Sequence, residues 1–193
     1  NRYKIVLDHG EGVYVWDVAG RKYLDFLGGI AVNVLGHNYP QLVEAIASQA
    51  AKIIHASNLS YTKPQADAAA KLAALSGLGK VFFCNSGAEA NEGALKIARK
   101  YACQIHPEKS QILTAWDSFH GRTLATLTAT GQPKYHEGLG PLPAGFDYIR
   151  YNDIADLEAK ISDQTAAVML ETIQGEGGVY PPEDNYLKKV RAL

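Results

Sequence analysis

The chain has little cysteine, with only Cys84 and Cys103 among 193 residues. They form no C-x-x-C pair, so the thiols point to neither a zinc site nor a disulfide framework, and a reducing cytoplasm fits best. Surplus charge is missing too. A formal net charge of −1 and a sequence pI of about 6.7 mark no general nucleic-acid or membrane binder. No apolar stretch approaches the roughly 18 residues of a membrane span, and no signal-peptide pattern opens the sequence. The commonest site signatures are absent as well. Gly79-Lys80 runs into Val81, which breaks the P-loop; Gly138 and Gly140 are followed by Pro141, Leu142 and Pro143, which breaks G-x-G-x-x-G. No H-E-x-x-H occurs.

What is present is an α/β pattern, 47% hydrophobic and 20% charged. Short strand candidates at 3–7, 13–16 and 22–27 are followed by helices from Pro40 and from Thr62, where Thr62 and Gln65 read as a capping box. Strands and helices then alternate. Strand 80–84 precedes helix 88–103, strand 111–115 the loop DSFHGRT, strand 146–150 helix 153–161, and strand 165–171 the loop 172–183. Strands this apolar suit a parallel sheet covered on both faces, and such sheets bind ligands at the carboxyl ends of their strands.

Three loops therefore carry the search for a site. In VFFCNSGAEANEGALKIARKY, Asn85, Ser86 and Gly87 turn the chain from strand to helix, and Ser86 with Glu89 matches a capping box. The free amides of that turn suit an anion such as phosphate; equally, Ser86 caps a helix and nothing binds. The second loop gathers Phe119, His120 and Arg122; the third holds Glu171 and Glu176. Singly, these read as a core aromatic, a structural histidine, a surface arginine and solvated carboxylates. Their shared place at strand ends is the stronger signal. A serine hydrolase is the rival chemistry, but its elbow G-x-S-x-G fails at Cys84 and Ala88.

The strings NSGAEANEGALKIAR, FHGRTLATLTATGQPKY and ETIQGEGGV, with the opening GVYVWDVAGRKYLDFLGGIAVNVLGH, resemble the class III aminotransferases across nearly the whole chain. The resemblance implies the type I fold of enzymes that use pyridoxal 5′-phosphate (PLP). Residues 1–61 would belong to the small domain and 62–193 to the first part of the large PLP-binding domain. It also implies roles. Backbone amides of Ser86, Gly87 and Ala88 hold the cofactor phosphate; Phe119 stacks on the pyridine ring; His120 and Glu171 lie beside the cofactor. Arg122 grips a substrate carboxylate, Glu176 pairs with a second arginine to sort substrates, and Tyr14 reaches the substrate.

GIAVN, FHGRT and GQPKYHEG are most similar to the acetylornithine branch, with 2-oxoglutarate as amino acceptor and a homodimer as the family's usual assembly. Rivals are 4-aminobutyrate, succinylornithine and ornithine transamination, and, from another class, a phosphate-binding fragment without chemistry. Ile30 and His120 replace a tyrosine and a tryptophan of ornithine enzymes, which counts against unmodified ornithine. Thr172 stands where the family has proline. The Schiff-base lysine and the cofactor aspartate have no counterpart in these 193 residues, so the expectation is an N-terminal half, inactive alone.

Overall fold

The computed structural model describes residues 2–193, in two compact units that divide between Gly79 and Lys80. The first carries an antiparallel sheet of β1 (Leu7–Glu11), β2 (Tyr14–Asp17) and β3 (Lys22–Leu24), in that spatial order. Its anchor is Asp17, buried at the end of β2. Burial pushes this carboxyl up, but hydrogen bonds from Arg21, Tyr23 and Ala19 outweigh it and hold the pKa at about 2. A short turn α1 (Gly28–Ala31) follows, then α2 (Pro40–Ala50) and α3 (Lys63–Ser76). Each of the latter two has proline in its first turn, where a missing N–H costs nothing. The expected Thr62 cap is not made: its side chain accepts no hydrogen bond. Helix α3 buries none of its residues and lies within the first unit.

The second unit is built on a parallel sheet ordered β5–β4–β6, with β4 (Gln111–Ala115) between β5 (Phe146–Ile149) and β6 (Thr165–Val168). Ile112, Leu113, Thr114 and Ala115 are buried, as the central strand of a covered sheet requires. Helix α4 (Gly87–Ile105) packs on β6; α5 (Leu124–Ala129), α6 (Ile154–Lys160) and α7 (Tyr186–Ala192) complete the unit. The core joins Leu113, Ala115, Ile149 and Leu157.

Two expected strands do not form as read: the run 3–7 meets β1 only at Leu7, and the run 80–84 stays unpaired. Val81–Cys84 lies in neither sheet, and no backbone hydrogen bond ties it to a neighbour among the described residues. Strand propensity is realised only when a partner supplies the ladder, and Phe82 and Phe83 remain exposed. No helix among the described residues is long and apolar enough to cross a membrane.

Candidate active site

Helix α4 begins where the first loop predicts. Ser86 Oγ accepts a hydrogen bond from the Glu89 amide at 3.2 Å, which fixes the first turn. The reciprocal bond goes elsewhere than a capping box prescribes: Glu89 Oε2 accepts from the Asn85 amide at 2.6 Å and from its side-chain Nδ2 at 3.0 Å. The amides of Ser86, Gly87 and Ala88 consequently have no acceptor among the described residues. A Cβ on Gly87 would meet nothing within 4 Å, so the turn is open on that side. Three free amides, a long helix and an open turn make a cradle that suits a phosphate group.

The loop after β4 is locked against that helix start. The Asp117 amide donates to the Gly131 carbonyl at 2.9 Å, and Ser118 Oγ accepts from the Gly131 amide at 3.0 Å. Next, the His120 amide donates to Thr130 Oγ1 at 2.9 Å, while Asn91 Nδ2 of α4 donates to the His120 carbonyl at 2.8 Å. Thr123 adds a hydroxyl bond to Glu92 of α4. Gly121 makes the close approach possible. Its φ is +138°, and a Cβ there would lie 2.5 Å from Thr126 Oγ1 and 2.9 Å from the Ala88 Cβ. Only glycine suits that position. The His120 imidazole is buried and its Nε2 has no partner among the described residues; burial lowers its pKa to about 4, so it is neutral at pH 7.

The loop after β6 closes the group. Glu171 accepts from the Phe119 amide at 3.2 Å and from the Gly175 amide at 3.3 Å. Burial raises the Glu171 pKa, the two amides oppose that shift, and the Glu176 charge adds to it. Gln174 Nε2 ties the same loop to the Trp116 carbonyl at 2.8 Å. Glu176 is held at both oxygens, by Tyr135 Oη at 2.5 Å and Gln132 Nε2 at 2.6 Å. Those two bonds lower its pKa, with Lys134 and Arg122 assisting against partial burial.

The Arg122 guanidinium rests over the Tyr135 ring, 3.9 Å from its centroid, and 5.5 Å from that of Phe119. The two rings meet edge to face at 6.5 Å. Arg122 has neither a carboxylate within salt-bridge distance nor a side-chain hydrogen bond among the described residues.

Thus one unit brings together the amides of Ser86, Gly87 and Ala88, the Phe119–Arg122 loop, Glu171 and Glu176. Tyr14 belongs to the first unit, on β2, where Lys22 Nζ sits 3.8 Å from its ring centroid. Sequence reasoning missed Asn91, Gln132 and Tyr135. The signal for the last two lay inside GQPKY, whose polar groups meet Glu176 only across 44 and 41 residues. No cluster of metal-ligating side chains occurs among the described residues.

The sequence pattern of the family described as Aminotransferase class-III matches residues 1–193. The chain belongs to this family. It is 54% identical over its whole length to acetylornithine aminotransferase from Methanocaldococcus jannaschii, covering 48% of that protein. It is 55% identical to the enzyme of the same name from Caldanaerobacter subterraneus subsp. tengcongensis, covering 49%. The chain therefore spans about half the length of the curated relatives it matches, 48% and 49%.

Solved structures of this class III fold agree. An ornithine aminotransferase from Toxoplasma gondii superposes with a TM-score of 0.94 at 33% identity, over 100% of this chain and 47% of that one. N-acetylornithine aminotransferase from Stenotrophomonas maltophilia K279a gives 0.84 at 42% identity, over 99% and 48%. Family and neighbours are PLP enzymes, and the Toxoplasma enzyme has been seen with partial occupancy of PLP at its active site. The free amides of Ser86, Gly87 and Ala88 suit the phosphate of that cofactor.

Proposed function

We propose that the intact protein is a PLP-dependent aminotransferase that converts N-acetylornithine and 2-oxoglutarate to N-acetylglutamate semialdehyde and glutamate, a step of arginine biosynthesis. The observation that carries this reading is the 54% identity, over the whole chain, to an acetylornithine aminotransferase. In this reading PLP supplies an electron sink for the charge left when the substrate carbon loses its proton.

The chain's own residues bind and orient. Amides of Ser86, Gly87 and Ala88 hold the phosphate, supported by their lack of other acceptors. Phe119 stacks on the pyridine ring, its backbone fixed by Glu171, and the neutral His120 lies next to it in the loop. Arg122 offers forked donors to a substrate carboxylate, supported by the absence of a competing partner. Glu176 acts as the counter-charge that sorts substrates, and Tyr14 reaches the amino donor.

We place the domain division at residue 61/62 and the protein in the cytoplasm. A homodimer is supported by exposed apolar side chains such as Phe26, Ile30, Leu59 and Tyr61. Initial rates of the intact protein with N-acetylornithine, succinylornithine, ornithine and 4-aminobutyrate test the reading. The highest kcat/KM is expected for N-acetylornithine. Faster turnover of 4-aminobutyrate would overturn the substrate assignment, and PLP binding without turnover of any donor would make this a binding module.

A further inference from the structure

Arg122 and Glu176 carry opposite charges in one site, yet they form no salt bridge. Tyr135 touches both. Its ring face is 3.9 Å from the Arg122 guanidinium carbon, and its hydroxyl donates to Glu176 Oε1 at 2.5 Å. Gln132 takes the other oxygen, Oε2, at 2.6 Å, so each carboxylate oxygen has a partner other than the arginine. One ring thus satisfies the cation through its face and the anion through its edge. Phe119, edge to face with Tyr135 at 6.5 Å, completes the corner in which the guanidinium lies.

We infer that Tyr135 is a positioning residue that holds Glu176 off Arg122 and so keeps the guanidinium available to the carboxylate of an incoming substrate. This rests on the reading of Arg122 as the carboxylate-binding residue. Without the Tyr135 hydroxyl, Oε1 of Glu176 is released and becomes an internal competitor for Arg122. The competition acts on binding of the free carboxylate and not on the later chemistry. KM and Kd therefore rise while kcat stays nearly constant.

The test uses the intact PLP-loaded protein, with KM and kcat for 2-oxoglutarate and the Kd of glutarate, which has carboxylates and no reactive carbonyl. Tyr135→Phe keeps the ring and removes only the hydroxyl. Its KM and Kd should rise about two- to five-fold, the range of a partly exposed ion pair. In a Glu176→Gln background the same substitution should produce no rise, because the competing charge is gone. A purely structural role for Tyr135 would not be cancelled in that way. Tyr135→Leu, lacking ring and hydroxyl, should weaken binding further.

Unchanged glutarate affinity in Tyr135→Phe, with a clear loss in Arg122→Gln, would overturn the positioning role and leave the carboxylate reading intact. So would an equal rise in both backgrounds. Unchanged affinity in Arg122→Gln would remove the carboxylate reading and this inference with it.

Discussion

Asn91 Nδ2 donates a 2.8 Å hydrogen bond to the carbonyl of His120, across 29 residues of sequence. It joins the second turn of α4 to the loop that carries Phe119 and Arg122. With the Thr123–Glu92 bond, it ties the start of α4 to that loop. Asn91→Leu keeps the side-chain size and deletes the donor, leaving a half-buried carbonyl unpaired. We expect a loss of about 1–2 kcal/mol in urea unfolding, with weaker PLP binding measured by absorbance titration. Unchanged values in both would show that this bond does not hold the two elements together.

Gly121→Ala should be worse. The added Cβ would meet Thr126 Oγ1 at 2.5 Å and the Ala88 Cβ at 2.9 Å, at a φ of +138° that side chains rarely adopt. Strain and overpacking together should cost about 2 kcal/mol or more in denaturant unfolding. An Ala variant as stable as wild type would mean that the loop and helix separate easily.

His120 should give the protein an acid-sensitive phase. Its pKa falls from an ordinary 6.5 to about 4 because burial disfavours the imidazolium. Between those values the unfolded chain binds a proton that the folded chain does not, so stability falls as pH falls through that window. The loss approaches about 3 kcal/mol at most, at roughly 1.4 kcal/mol per pKa unit. Unfolding free energies of wild type and His120→Phe, measured from pH 7 to pH 4, should diverge by that trend. Parallel curves would contradict it.

Local signals were legible and long-range ones were not. Ser86 lies between an apolar run and a helix-forming one, and it caps α4 as its neighbours dictate. The strand 111–115 coincides with β4 because its apolar run is buried on both faces. Val81–Cys84 reads equally well as a strand, but strand formation depends on a pairing partner that no local pattern specifies. The same limit hid the engagement of Glu176 by Gln132 and Tyr135. A carboxylate in a glycine-rich loop says nothing about residues 44 and 41 positions away. Glu89 shows a finer limit: the box was legible, but its carboxylate serves Asn85 and not Ser86, which leaves one more amide for an anion.

The central claim is that free amides at Ser86, Gly87 and Ala88 hold the cofactor phosphate. The decisive measurement compares PLP with pyridoxal, which lacks the phosphate, as ligands of the intact protein and of Gly87→Asp. The new side chain has room, since a Cβ at Gly87 meets nothing within 4 Å. A carboxylate in the first turn also favours the helix, so the fold should hold or gain slightly. The account predicts that wild type binds PLP far more tightly than pyridoxal and that Gly87→Asp loses most of this preference while remaining folded. A folded Gly87→Asp protein that keeps the full preference for PLP would contradict it.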